Sequence, residues 1–92
     1  GSGNMLILRN HGLIACGHDC AQAFMYMYRL EMACKMQVAA LAGGVDNASL
    51  ISGSALETTR GMVRDNPGLF DGKLQWRAML RRLDRIDPSY RN

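Results

Sequence analysis

The sequence lacks the features that mark membrane proteins and disordered chains. No stretch of about 18 residues or more is free of charged side chains, so no membrane-spanning helix is predicted. Only two prolines are present among the 92 residues, which excludes a Pro-rich or collagen-like chain. Charged residues make up 21% of the chain and hydrophobic residues 48%, which excludes a disordered polyelectrolyte. One small folded domain is the expectation.

The sequence also lacks a signal peptide, and its number of cysteines is odd. Residues 1–3, Gly-Ser-Gly, contain no basic side chain and are interpreted as an expression scar. The remaining chain, 4–92, begins without methionine, which suggests a piece of something longer. Its three cysteines are Cys16, Cys20 and Cys34. An odd count without a secretory signal predicts free thiols in a cytoplasmic protein.

Positive charge is confined to the C-terminal part of the chain. The net charge is +3; residues 71–92 hold six basic and three acidic side chains, and the first 70 hold five of each. Nucleic acid is therefore not expected as a partner of the whole domain. Four basic residues recur at intervals of four: Lys73, Arg77, Arg81 and Arg85. We interpret them as a solvated helix face, with an acidic partner or RNA as the alternative.

The pattern of apolar residues predicts a β-hairpin and three helices, an α+β arrangement. Two apolar runs, 5–8 and 13–16, flank a polar turn and read as the hairpin. A long helix follows over 20–42, with Asp19 and Gln22 as a capping box.

Two shorter helices complete the prediction. The first covers 55–65, with Ser54 and Glu57 as its capping box, and the second covers 73–85. Pro88 prevents the last helix from continuing.

The long helix is apolar on two sides, and both sides need covering. One side carries Phe24, Met27, Cys34, Val38 and Leu41, and the other carries Met25, Tyr28, Met32 and Ala39. The remaining residues are too few to cover both sides. We therefore predict self-association through this helix, with Met25, Tyr28 and Met32 at the interface.

Four potential zinc ligands lie within ten residues: His11, Cys16, His18 and Cys20. Their spacing matches no closed zinc-finger pattern, and we interpret the two cysteines as small buried hydrophobic residues and His18 as a surface residue. His11 differs because it lies in a polar turn between two apolar strands, where a sheet can fix its position. A functional histidine and a solvent-exposed turn histidine both remain open at this point.

Several segments together resemble the class II aldolase/adducin family. They are LILRNHGLIACG at 6–17, AQAF at 21–24, LEMACKMQV at 30–38 and WRAMLRRLDRIDPSYR at 76–91. The Arg-Asn-His-Gly turn, the long helix and the Asp-Pro-Ser-Tyr end occur in the family's order. The resemblance implies that residues 4–92 are the C-terminal half of an α/β/α layered domain.

The resemblance also implies a metal site that this chain supplies only in part. In the family's aldolases three histidines hold a divalent metal, usually zinc, and His11 matches the histidine of the Asn-His-Gly turn. The family's other two ligands form a His-x-His motif that has no counterpart here, so we expect the chain alone to bind no metal tightly. Tyr90 is a candidate catalytic residue by analogy with a near-C-terminal tyrosine that assists proton transfer in some family aldolases.

The implied function is that of a lyase fragment, catalytically incomplete alone. The parent enzyme would cleave a carbon–carbon bond of a small sugar-like hydroxycarbonyl substrate through a metal-stabilised enediolate. The alternative is a non-catalytic interaction and oligomerisation module, as in adducins. A further alternative is an isolated fragment without a physiological function.

Overall fold

The computed structural model describes residues 3–91; Gly1 and Ser2 of the predicted scar, and Asn92, lie outside these residues. An antiparallel hairpin comes first, made of β1 (Met5–Leu8) and β2 (Gly12–Ala15). Leu6 pairs with Ile14 and Leu8 with Gly12. Three helices follow: α1 (Cys20–Leu41), α2 (Gly53–Asp65) and α3 (Lys73–Ile86). A short 3₁₀ turn lies at Val45–Asn47 and another at Pro88–Arg91. The predicted α+β arrangement is confirmed.

The Asp19 cap predicted for α1 is present, but Gln22 bonds to the residue before the cap rather than to the cap itself. The Asp19 carboxylate accepts a hydrogen bond from the backbone N–H of Gln22 at 2.8 Å. The Gln22 side chain in turn accepts from the backbone N–H of His18 at 2.7 Å, one residue before the cap. Two N–H groups at the helix entrance are thereby satisfied, which fixes the angle at which the chain leaves the hairpin.

The cap predicted for α2 was wrong. Ser52, rather than Ser54, caps the helix, because its hydroxyl accepts from the backbone N–H of Ala55 at 3.2 Å. Ser54 lies inside the helix, where its carbonyl accepts from the Thr58 hydroxyl at 2.9 Å. Glu57 is therefore paired along the helix, with Arg60 at 2.8 Å, instead of reaching back to a cap.

The core is small and lies around the first two turns of α1. Among the described residues, the buried ones are Ala21 and Met25 of α1, with exposures of 7% and 4%, and Gly72. The hairpin packs on α1 mainly through β2, and α3 also packs on α1. The Phe24 and Trp76 rings meet edge to face, with centroids 5.7 Å apart. The prediction that Met25 lies at an interface between copies was wrong, since Met25 is buried within the chain beside Gly72.

Two glycines allow the chain to approach α1 this closely. A Cβ atom on Gly17 would lie 2.5 Å from the backbone nitrogen of Ala23. A Cβ atom on Gly72 would overlap the carbonyl oxygen of Ala21, and Gly72 also has a φ of 73°. A larger residue at Gly72 would therefore suffer both steric overlap and backbone strain. Gly72 immediately precedes α3 as its N-cap, so it sets how closely α3 can pack on α1.

Much of the chain packs against nothing within the described residues. The radius of gyration is 16.5 Å, whereas a compact chain of this length has about 12 Å. The exposed area is 7822 Å², whereas a folded monomer of this mass exposes roughly 5,300 Å². Residues 35–41 of α1 are all exposed, and α2 makes almost no contact with other elements. Across residues 3–91, no helix has the length and apolar character to cross a membrane.

Replacing Gly72 with alanine should destabilise the fold by about 2–4 kcal/mol, since a left-handed backbone and an overpacked contact both cost free energy. Chemical unfolding followed by Trp76 fluorescence measures this loss. Gly68→Ala is the matched control, because a Cβ there meets only the Asp71 carboxylate at 3.7 Å. Equal stability of the two variants would contradict the close approach of α3 to α1.

Candidate metal-binding turn

His11 lies at the tip of the hairpin, in the three-residue turn that joins β1 to β2. The turn is closed by a hydrogen bond from the backbone N–H of His11 to the carbonyl of Leu8 at 3.3 Å. Asn10 adopts a left-handed conformation with a φ of 61°, which asparagine tolerates better than most residues. The sequence Arg-Asn-His-Gly thus suits a tight turn that presents His11 to solvent.

The imidazole of His11 is held in one tautomer by its own turn. Its Nδ1 lies 2.9 Å from the carbonyl oxygen of Arg9. A carbonyl can only accept, so Nδ1 carries the proton and donates. In the neutral ring the lone pair is then on Nε2, the nitrogen left available to a metal. Metal-binding histidines generally have this second hydrogen bond, because it orients the ring and raises its basicity.

The other potential ligands do not join His11 in a metal site. Cys16, His18 and Cys20 are all exposed, so the interpretation of the two cysteines as buried residues was wrong, whereas His18 is on the surface as predicted. Across residues 3–91 no group of three or more His, Cys, Asp or Glu side chains is placed to hold a metal ion. The chain therefore presents a single imidazole, which fits one position of a zinc site but not a whole site.

Tyr90, the other predicted site residue, lies on a separate part of the fold. It belongs to the Pro88–Arg91 turn, which packs on α3, whereas the hairpin packs on α1. The Tyr90 hydroxyl donates to Asp84 of α3, and the Arg91 guanidinium forms an ion pair with the other oxygen of the same carboxylate. The phenol is thus hydrogen-bonded to a carboxylate of the preceding helix, α3, and is 44% exposed.

Asp84 is the member of this cluster that the sequence analysis missed. The hydrogen bond from Tyr90, followed by a hydrogen bond and the positive charge of Arg91, lowers the pKa of Asp84 below its ordinary value of 3.8. The one sequence signal for this cluster was that Asp84 lies six positions before Tyr90, with Pro88 between them where the helix was predicted to stop. That spacing has no regular periodicity, so only the folded turn brings the groups together.

Comparison with known proteins places these features in a family context. The family model described as "Class II Aldolase and Adducin N-terminal domain" matches residues 1–38, which include the hairpin and most of α1. A Pseudomonas aeruginosa protein named for aldolase class 2 is 40% identical over 99% of this chain and 36% of its own length. No solved structure matches the chain.

Two further relatives show how widely the sequence is shared. A Caulobacter vibrioides protein, also named for aldolase class 2, is 39% identical over 98% of this chain and 35% of its own length. Mouse gamma-adducin is 32% identical over 89% of this chain and 13% of its own length. The chain thus spans about a third of the bacterial relatives that it matches.

Replacing Tyr90 with phenylalanine should raise the pKa of Asp84 towards 3.8, because it removes the largest influence that lowers it. In the native chain the Asp84 contacts stabilise the C-terminal turn above about pH 3.8, and this stabilisation is lost as the pH falls through the lowered pKa. Carboxyl-carbon NMR titration of Asp84 measures both effects. Tyr26→Phe is the control, and an Asp84 titration unaffected by Tyr90→Phe would contradict the cluster.

Proposed function

Because the chain belongs to the class II aldolase and adducin family, we propose that residues 4–92 are the C-terminal half of a metal-dependent, aldolase-like lyase domain. The proposed reaction is carbon–carbon cleavage of a small sugar-like hydroxycarbonyl substrate. The observation that carries the proposal is the fixed tautomer of His11, whose Nε2 is free in a family whose name includes the class II aldolases.

His11 fits the chemistry of a divalent metal ligand. Neutral imidazole suits zinc, and three such ligands leave the ion its full positive charge and an open coordination position. When bound, the metal would act as a Lewis acid that polarises the oxygen atoms of the substrate. His11 contributes one ligand and a fixed direction of approach. The other ligands would have to come from the part of the domain that this chain does not contain, so the chain alone is proposed to be inactive.

Tyr90 is proposed as an assisting residue for proton transfer. The hydroxyl donates to Asp84, and the Arg91 Nε donates to the phenol oxygen at 3.2 Å. The guanidinium stays protonated and only orients the phenol, so the proton would be exchanged between the Tyr90 hydroxyl and a substrate that reaches it.

Self-association through the long helix is part of the proposal. The chain exposes roughly 2,500 Å² more than a compact monomer of its mass, and a standard interface takes about 800 Å² from each partner. The exposed end of α1 contributes Met36 and Val38, with exposures of 68% and 73%. Pairing of this end with another copy would remove much apolar surface from water.

A cytoplasmic setting suits the three free thiols.

An adducin-like interaction module is the second candidate function. Its support is that adducins match 89% of the chain, and that the exposed surface of α1 and α2 suits assembly as well as completion of an enzyme. The fixed imidazole of His11 favours the lyase, since an interaction surface does not need a histidine in that orientation.

Metal analysis of the chain alone and of a completed domain tests the lyase proposal. The purified chain should contain well under one zinc per molecule. The same chain fused to the part of the Pseudomonas aeruginosa relative that it does not match should bind about one zinc and cleave small sugar phosphates.

Two variants of the fused protein identify the ligand. His11→Ala should remove the zinc and the cleavage activity, whereas His18→Ala should leave both unchanged. Zinc retained in His11→Ala would overturn the assignment of His11. A folded fusion without zinc or cleavage would favour the adducin-like module.

A further inference from the structure

An open groove lies between α1 and α3 beside the small core. Its volume is about 380 Å³, and its apolar lining includes Phe24, Met25, Tyr28 and Met79. Two arginines, Arg29 of α1 and Arg82 of α3, also line it, and no carboxylate does. The groove thus combines an apolar floor with two positive charges.

The two helices that form the groove run in the same direction. Gly72 lies against Ala21, Trp76 meets Phe24, and Arg82 lines the groove together with Arg29, so contacts advance along both helices together. On α1, Met32 lies four positions after Tyr28, and on α3, Ile86 lies four positions after Arg82. Both therefore extend the apolar lining of the groove along the same helix faces. Two parallel helices leave a valley that a third helix can fill by ridges-into-grooves packing.

The charges in the groove have no acidic partner within residues 3–91. Arg82 forms no ion pair there, and Arg29 lies over the Phe70 ring at 5.6 Å without a carboxylate. An apolar helix alone would leave both guanidinium groups without a counter-charge as it excluded water. A helix with carboxylates beside its apolar face would pair with them.

We propose that this groove binds an acidic amphipathic helix of a partner protein. The apolar side of that helix packs on Tyr28 and Met79, and its flanking carboxylates pair with Arg29 and Arg82. This is the helix-in-groove mode of recognition, with apolar anchors at spacings of three and four residues. The surface is distinct from the hairpin tip, so it does not depend on the metal-ligand role of His11.

A second copy of this chain does not have the required chemistry. All carboxylates within the three helices, namely Glu31, Glu57, Asp65 and Asp84, already form ion pairs within the chain. A symmetric pairing of two grooves would also bring the arginines of both copies together, and like charges at an interface are unfavourable. We therefore assign the complementary carboxylates to a different sequence.

Peptide binding with a charge exchange tests the proposal. The probe is a labelled helical peptide of about 15 residues with leucines at positions i, i+4 and i+7 flanked by glutamates, and its control has lysines in place of the glutamates. Fluorescence anisotropy should show saturable binding of the glutamate peptide and at least about tenfold weaker binding of the lysine peptide.

Charge-reversed variants locate the binding site. Arg29→Glu with Arg82→Glu should weaken binding of the glutamate peptide at least about tenfold and should strengthen binding of the lysine peptide. Arg81→Glu is the matched control, because Arg81 lies on α3 outside the groove lining. Gain of lysine-peptide binding also shows that the doubly reversed chain is folded.

Three results would overturn the proposal. They are equal binding of both peptides, an equal loss in Arg81→Glu, and displacement of a second copy from the groove by the peptide. The last result would be seen as dissociation of an oligomer in sedimentation velocity when the glutamate peptide is added, and it would assign the groove to self-association.

Discussion

The close approach of α3 to the first turns of α1 is the constraint on which the rest of the structure depends. Gly72 allows it, because any side chain there would overlap the Ala21 carbonyl. The approach covers Met25, brings Trp76 to the edge of Phe24, and leaves the groove between the two helices beside this contact. Since Ala21, Met25 and Gly72 are the only buried residues among those described, few other contacts can replace this one.

The same contact explains why the fold is open. The hairpin and α3 both pack on α1 near its start, so within residues 3–91 the far end of α1 is exposed and α2 makes almost no contact. Both strands of the hairpin consist of apolar residues, apart from Gly12, which is typical of strands buried on both faces of a larger sheet. A chain that spans about a third of its bacterial relatives and leaves such surfaces exposed is well suited to packing against further protein.

Local signals in the sequence predicted the elements, and tertiary contacts determined what the sequence could not show. The hairpin turn, the Asp19 cap and the limits of α1 depend on neighbouring residues, and all were predicted closely. The burial of Met25 was not predicted, because it depends on a glycine 47 residues away in the chain, at Gly72.

In the candidate site, too, some features could be predicted from the local sequence and others depend on the folded structure. His11 could be singled out from its turn and from the family resemblance, but its tautomer depends on the Arg9 carbonyl, which only the folded turn positions. The Asp84 cluster and the α1–α3 groove join residues without a regular spacing. The cap of α2 was misplaced because Ser52 and Ser54 are equally good capping residues, and only the backbone distinguishes them.

The apolar surface that the described residues leave exposed is proposed to pack against another protein surface. Sedimentation equilibrium of the purified chain at micromolar concentration measures this association, and circular dichroism establishes that the helices are formed. We expect a concentration-dependent dimer or larger assembly that Val38→Glu, on the exposed end of α1, weakens. A folded monomer over the whole concentration range would contradict it.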